Sequence, residues 1–361
     1  MMQRFLLPAV LLLLAVSAEA QSQAKPPEPA AGASQQVSPP QNQRPPAIVT
    51  RTETVVVPVT VKDDKGQLVG DLQKDDFRIF SDGVEQLISR FSSEAVPLSA
   101  VVVIDNDLPD RAVAQVQKSL AAIAASFGPR DEVALITYDQ FPKTVFDFSL
   151  NNDQLFTQLK RLELGSHPTQ TISDPTTAGP MINGRDATTG VGLPLHGSKR
   201  AANTDALDDA IYAAGSMLKE RQRDRRKIIF LISDGSNSHN NQHTFEETLR
   251  SLLEADVSVY SISITRSVPV GRSLVQRGVS ALDKYAAGTG GDTFFASKQP
   301  DLERLYSDVT EQARNEYTLT FSPQEADRTK NFHSIEVRVE RPGLAIKTRA
   351  GYYQSAISVG R

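Results

Sequence analysis

The sequence predicts an α/β protein in which a doubly wound, mostly parallel sheet is inserted into a small β-sandwich made from both flanks of the chain. Three observations carry this. Between residues 98 and 315, apolar β-branched runs alternate with stretches of helical period, the mark of βαβ units. Residues 51–95 and 317–353, on either side, are β-rich instead. Val101-Val102-Val103-Ile104 is a continuous β-branched run ending at two carboxylates, Asp105 and Asp107, as a buried parallel strand with a polar tip would. Chain ends commonly lie close together, so insertion of one domain between two halves of another is feasible.

The segments follow in order. Residues 1–20 read as a signal peptide: Arg4 supplies the positive start, residues 5–16 are apolar, and Ala18-Glu19-Ala20 fits the small-x-small cleavage pattern. The apolar stretch is shorter than the roughly 20 residues a membrane span needs. No later segment is long and apolar enough either, so no transmembrane segment is expected after cleavage. Residues 21–48 are rich in Pro, Gln, Ala and Ser and read as a disordered linker. Residues 49–96 form the N-terminal β flank. Within it, residues 77–80 and 84–91 bracket Ser81-Asp82-Gly83, and Asp-Gly between apolar runs is a strong hairpin signal.

Residues 97–315 carry the α/β pattern. Strands are expected at 98–105, 133–137, 227–233 and 257–264, and helices at 111–125, 153–162, 206–218, 244–253, 279–287 and 302–313. Residues 165–203 interrupt this pattern with a long loop rich in Gly, Thr, Pro and Ser, of the kind that tends to be functional or disordered. Residues 316–355 form the C-terminal β flank, with Arg341-Pro342-Gly343 as a turn.

Composition narrows the function. A hydrophobic content of 39% supports a real core, and a net charge of −4 leaves no electrostatic footprint for nucleic acid. With no cysteine there is neither a disulfide nor a thiol nucleophile, which suits a bacterial envelope protein, periplasmic or extracellular. No Gly-x-Ser-x-Gly elbow and no P-loop lysine are present; Gly288-Thr289-Gly290-Gly291 reads as a turn after a helix. His239 and His243 lack a neighbouring zincin glutamate and read as surface or capping residues.

Three sequence-distant points fall at one end of the expected sheet. Asp105 and Asp107 follow the first strand, Thr204 precedes a helix in a place suited to an N-cap, and Asp234-Gly235 follows the strand 227–233. Carboxylates and a hydroxyl make an oxygen-only donor set, suited to Mg²⁺, Mn²⁺ or Ca²⁺ rather than zinc.

This pattern resembles a von Willebrand factor A domain, a Rossmann-like α/β fold, and its metal-ion-dependent adhesion site (MIDAS). In that family a buried strand ends in Asp-x-Ser-x-Ser, a later loop gives a Thr, and a further apolar strand ends in Asp-Gly. Asp105, Thr204 and Asp234 match the first Asp, the Thr and the last Asp. The flanks resemble those of bacterial exported "VWFA-related domain" proteins: residues 59–66, 72–77 and 80–83, Gly288-Thr289-Gly290-Gly291 with Phe294-Phe295, and the closing Arg349-Ala350-Gly351-Tyr352-Tyr353. The resemblance implies a non-enzymatic role in adhesion or protein binding. The chain departs from the family at both serines: Asp107 stands at the first, and Pro109, with no side-chain donor or acceptor, at the second. The site is therefore expected to be an altered one. The expected contact face for a protein partner includes Asp110, His196, Ser236 and Asn237, with the loop 165–203 setting specificity.

Two other readings compete. Asp105-x-Asp107 matches the nucleophile and acid/base spacing of a Mg²⁺-dependent haloacid-dehalogenase-type phosphohydrolase, with Thr137 as a phosphate-binding hydroxyl. Against it, Asp234-Gly235-Ser236-Asn237 lacks that family's second acid, and the β flanks have no part in it. A metal-free structural or assembly module is the third reading, in which Asp105, Asp107 and Asp234 are solvated loop-end residues and helix caps.

Overall fold

The computed structural model describes residues 54–165, 181–182, 185–186, 205–264, 268–270, 273–275, 279–296, 299–323 and 330–354. The expected signal peptide, the Pro-rich linker, Thr204, His196 and most of the 165–203 loop lie outside the described residues. In chain order the elements are β1 (Val55–Lys62), β2 (Phe77–Ser81), β3 (Val84–Gln86), β4 (Ile88–Ser92), β5 (Leu98–Asp105), α1 (Asp110–Ser126), β6 (Glu132–Tyr138), β7 (Pro142–Ser149) and α2 (Asn152–Arg161). There follow β8 (Met181–Ile182), β9 (Arg185–Asp186), α3 (Leu207–Lys219), β10 (Arg226–Ser233), α4 (Phe245–Glu254), β11 (Val257–Ser263), β12 (Val268–Val270) and β13 (Ser273–Val275). The chain continues through α5 (Val279–Thr289), β14 (Thr293–Phe295), α6 (Gln299–Arg314), β15 (Tyr317–Phe321), β16 (Phe332–Val339), β17 (Ala345–Thr348) and β18 (Gly351–Tyr353).

The central sheet has six strands in the order β14-β11-β10-β5-β6-β7, all parallel except the edge strand β7. Successive strand side chains point to opposite faces. Leu98, Ala100, Val102 and Ile104 of β5 therefore pack under Val116, Leu120 and Ile123 of α1 and Tyr306 of α6. Val101 and Val103 pack under Leu207 and Ile211 of α3, Leu252 of α4 and Tyr285 of α5. Cover on both faces is why β5 and β11 have no exposed position.

Two edge strands, β7 and β14, were not expected from the sequence. β7 pairs with β6 through two register shifts and mixes half-buried with exposed positions, so it carries no clean period of 2. β14 has only three residues. Gly290, at φ +86, donates to the Ala286 carbonyl and closes α5. A Cβ on Gly291 would overlap the carbonyl of Val259 on β11, so this residue must be glycine for the chain to enter the sheet.

The flanks form two antiparallel four-stranded sheets, β17-β1-β15-β4 and β18-β16-β2-β3, each mixing strands from before and after the α/β region. Val57 and Val59 of β1, Ile79 of β2, Leu319 and Phe321 of β15 and Val337 of β16 meet in one apolar core between them. Asp82 and Gly83 both take positive φ, 48° and 81°, as a two-residue hairpin turn between β2 and β3 requires. The segment 84–91 is not one strand. It divides at Leu87, which is 71% exposed; β3 stays with β2, while β4 crosses to the other sheet and pairs with β15.

Ionic contacts fasten these sheets to the N-terminal ends of the central strands. Glu316 is buried and accepts from Arg226, from the Tyr260 hydroxyl and, at 3.1 Å, from Thr60 Oγ1 of β1. Asp292 pairs with Lys62 at 2.8 Å and with Lys347. Arg349 spans Asp256 at 2.7 Å and the Val56 carbonyl at 3.2 Å. The opposite, C-terminal ends of the central strands carry none of these contacts.

Candidate site at the C-terminal edge of the central sheet

β5 and β10 are neighbours, but the chain leaves them in opposite senses: α1 packs on one face of the sheet and α4 on the other. The strand order reverses between them, and at such a switch point the helices diverge and leave a crevice beyond the carboxyl ends of the strands. Asp105 is the last residue of β5, and Asp234 follows the last residue of β10.

Asp105 is 1% exposed. Its Oδ1 accepts the backbone N–H of Asp107 at 2.9 Å, which turns the chain sharply after the strand. Its Oδ2 lies 3.0 Å from Ser233 Oγ and 3.2 Å from the Tyr138 hydroxyl, and these two hydroxyls are 2.8 Å apart. Burial, then the neighbouring charge of Asp234, push the Asp105 carboxyl up to about 7. The same burial, with the Asp105 charge beside it, holds the Tyr138 phenol well above its ordinary range.

Asp205 is the candidate site residue that sequence reasoning missed. It is 2% exposed, and its Oδ1 is buried with no hydrogen-bond partner. The backbone is pinned here: the Asp205 carbonyl accepts from Ser238 N, and Ala206 N donates to the Asp139 carbonyl, both at 2.8 Å. Burial pushes its carboxyl up to about 8, helped by the charges of Asp105, Asp107 and Asp234 and by a hydrogen bond with the Asp107 side chain. The only sequence signal was its place in Asn203-Thr204-Asp205, where the threonine drew attention as a match to the family pattern. No described Arg or Lys pairs with Asp105 or Asp205. Asp205 thus lies within electrostatic reach of Asp105, Asp107 and Asp234, and both Asp105 and Asp205 are deeply buried.

The other expected residues fall as follows. Asp107 is half-buried beside Asp205. Asp234 is half-buried, with Oδ1 accepting from Ser236 N at 2.8 Å, and Gly235 at φ +76 makes the turn. Asp110 is exposed in the first turn of α1, where a carboxylate complements the helix dipole. Asn237 donates to Asp208 Oδ2 at 2.9 Å and accepts from Asn241 at 2.8 Å, tying the loop after β10 to α3. His243 lies ahead of α4, stacked on Tyr212 at 3.6 Å with Nδ1 2.8 Å from Asp209.

Two details differ from the reading of loop-end caps. The N-cap of α1 is Pro109 and that of α3 is Ala206, neither with a side-chain cap bond, so Asp107 does not have the capping place at α1. Asp105 is enclosed rather than solvated. Among the described residues, no three or more His, Asp or Glu side chains are already gathered in an arrangement that would hold a metal ion. The donor chemistry nonetheless fits a hard cation, since every group at the crevice is an oxygen and one buried carboxylate oxygen lacks any partner.

No protein-family model matches the chain, and no curated protein matches it. Among solved structures, the conserved hypothetical protein BatB from Bacteroides thetaiotaomicron is 11% identical, over 60% of this chain and 98% of its own, with a TM-score of 0.40. A von Willebrand factor type A protein from Catenulispora acidiphila is 9% identical over 84% of this chain and 75% of its own, with a TM-score of 0.43. Proximal thread matrix protein 1 from the mussel byssus, in a form with a zinc-occupied MIDAS motif, is 14% identical over 64% of this chain and 49% of its own, at a TM-score of 0.41. Likeness at this level assigns no function.

Proposed function

We propose that the chain is a non-enzymatic, exported interaction module of the von Willebrand A kind, which meets a protein partner at the C-terminal edge of its central sheet. In this reading Asp105, Asp107, Asp205 and Asp234 hold a divalent cation of the Mg²⁺, Mn²⁺ or Ca²⁺ class. The observation that carries it is Asp205 Oδ1, a buried carboxylate oxygen with no partner, set among three further carboxylates at the switch point of the sheet. A cation would supply the positive charge that no described side chain gives Asp105 or Asp205, and Thr204 is the expected hydroxyl ligand.

The replacement of two serines changes what such a site does. In the family pattern the metal stays electrophilic enough to take a carboxylate from the partner. Here the surplus of protein carboxylates neutralises a dication by itself, so the face favours a partner presenting basic or hydrogen-bond-donor groups.

The test is thermal unfolding at pH 7.5 in chelator against millimolar Mg²⁺, Mn²⁺ or Ca²⁺. A rise in melting temperature that Asp234→Ala removes supports the cation site, and no rise with any of the three ions overturns it. A partner pull-down with and without chelator then reads whether binding depends on the cation. The phosphohydrolase reading fits less well. An aspartyl nucleophile must offer a free oxygen to phosphorus, whereas both Asp105 oxygens already accept hydrogen bonds inside the fold. Turnover of a chromogenic phosphate with Mg²⁺, lost in Asp105→Asn, would sink the non-enzymatic reading.

A further inference from the structure

A cavity of about 350 Å³ lies at the other end of the central sheet, between the sandwich and the starts of β10 and β11. Its size is at the lower end of the range of small-ligand pockets, roughly 300–1,000 Å³. One wall is apolar. Val55, Val57 and Val59 of β1 face the sandwich core, so the alternate residues Val56 and Pro58 face the cavity, joined by Val96 and Val257.

The other wall is basic, with Arg223, Arg225, Arg226, Lys227 and Arg349 against two acids, Asp224 and Asp256. Part of this charge is committed: Arg226 pairs with Glu316, and Arg349 pairs with Asp256. The remainder is matched less completely. Lys227 is 7% exposed, and its ammonium reaches only the Lys219 carbonyl at 3.3 Å, with no described carboxylate within ion-pair distance. Burial holds its ammonium below its ordinary range, although the charges of Asp256 and Glu220 act the other way without touching it. Arg225 lies 3.5 Å from Glu132 and donates through Nη2 to the Arg130 carbonyl, while its Nε is buried without a hydrogen bond. Arg223 stands exposed at the rim. A buried cation without an acid is costly, and such groups are found paired.

We propose that this cavity binds a small organic anion, a carboxylate, sulfonate or phosphate on an apolar body, with the acid group met by Lys227, Arg225 and Arg223 and the body lying against Val56, Pro58 and Val257. This site is independent of the carboxylate cluster and does not need a cation.

The experiment is a fluorescence titration of the full chain in chelator with 8-anilinonaphthalene-1-sulfonate, and with N-phenyl-1-naphthylamine as a neutral probe of similar body. The expected result is saturable binding of one sulfonate probe per chain, displaced by octanoate, with no comparable binding of the neutral probe. Lys227→Met, which keeps the stem and removes the charge, should weaken the sulfonate probe by about tenfold or more. Arg223→Gln, at an exposed position that does not test folding, should weaken it by a smaller factor. Equal binding of the neutral probe, unchanged affinity in Arg223→Gln and in a folded Lys227→Met, or no saturable binding at millimolar probe, each overturns the proposal.

Discussion

The two ends of the central sheet treat buried carboxylates in opposite ways. At the N-terminal end, Glu316 meets Arg226, Asp292 meets Lys62 and Lys347, Asp131 meets Arg314, and Glu132 meets Arg221 and Arg225. Burial works against the charge of both Asp292 and Glu316: at Asp292, Lys347 and Lys62 outweigh it and hold the carboxyl below the ordinary range, while burial keeps that of Glu316 above it in spite of Arg226. At the C-terminal end, Asp105 and Asp205 are as deeply buried, and their charged neighbours are other acids, so both carboxyls move up to about 7 and about 8. A carboxylate matched by a fixed cation joins parts of the fold. One left among its own kind awaits a proton or a cation from solution, which is why the C-terminal edge is the candidate site.

The comparison breaks or sharpens under four measurements. The largest effect is expected at the matched end: Arg226→Met leaves Glu316 buried without its counterion and should cost about 3–5 kcal/mol in urea unfolding. A cost near zero would show that the clamp is idle. Next comes the pH dependence in chelator. Asp105 and Asp205 have folded-state values above the ordinary 3.8, so between about pH 4 and 8 the folded protein holds protons that the unfolded chain has released. Stability from these groups is therefore present at low pH and lost as pH rises through about 7 and about 8. Melting temperature should fall from pH 5 to pH 9, and saturating Mg²⁺ should flatten the slope; a rise with pH would contradict the repulsive cluster.

Smaller again is Asp205→Asn. Removing one charge from the cluster should raise stability at pH 8 in chelator by on the order of 1 kcal/mol, allowing for solvent screening, and should shrink the cation-induced shift. A loss of stability in chelator would mean that Asp205 is an ordinary structural acid. The smallest effect belongs to neither end. Arg250→Ala removes an exposed pair with Glu254 on α4, and its melting temperature should not differ measurably from that of the parent.

Much of this fold was legible in the residues. The helices expected at 111–125, 153–162, 206–218 and 244–253 lie within a residue or two of α1, α2, α3 and α4. The central strands were equally plain, because full burial writes a continuous apolar run. β7 and β14 were not, since an edge strand is half solvated and its period is weak. The division of 84–91 into β3 and β4 was hidden for a different reason: which sheet a strand joins depends on distant partners, here Ile79 for Gln86 and Phe321 for Ile88. At the candidate site, Asp105 and Asp234 could be read because each ends an apolar strand.

By itself, then, the sequence determined the alternation of strands and helices, the β flanks, and the two acids at the tips of β5 and β10. These follow from local hydrophobic period, which acts between near neighbours in the chain. Only the tertiary structure decided that Asp205 joins Asp105, that Arg226 and Lys62 pair with Glu316 and Asp292, and that Lys227 lines a cavity without a carboxylate in direct contact with its ammonium. Burial and Coulomb energy depend on distance in space, and each of these groups meets partners brought to it by strands and helices far away in the chain.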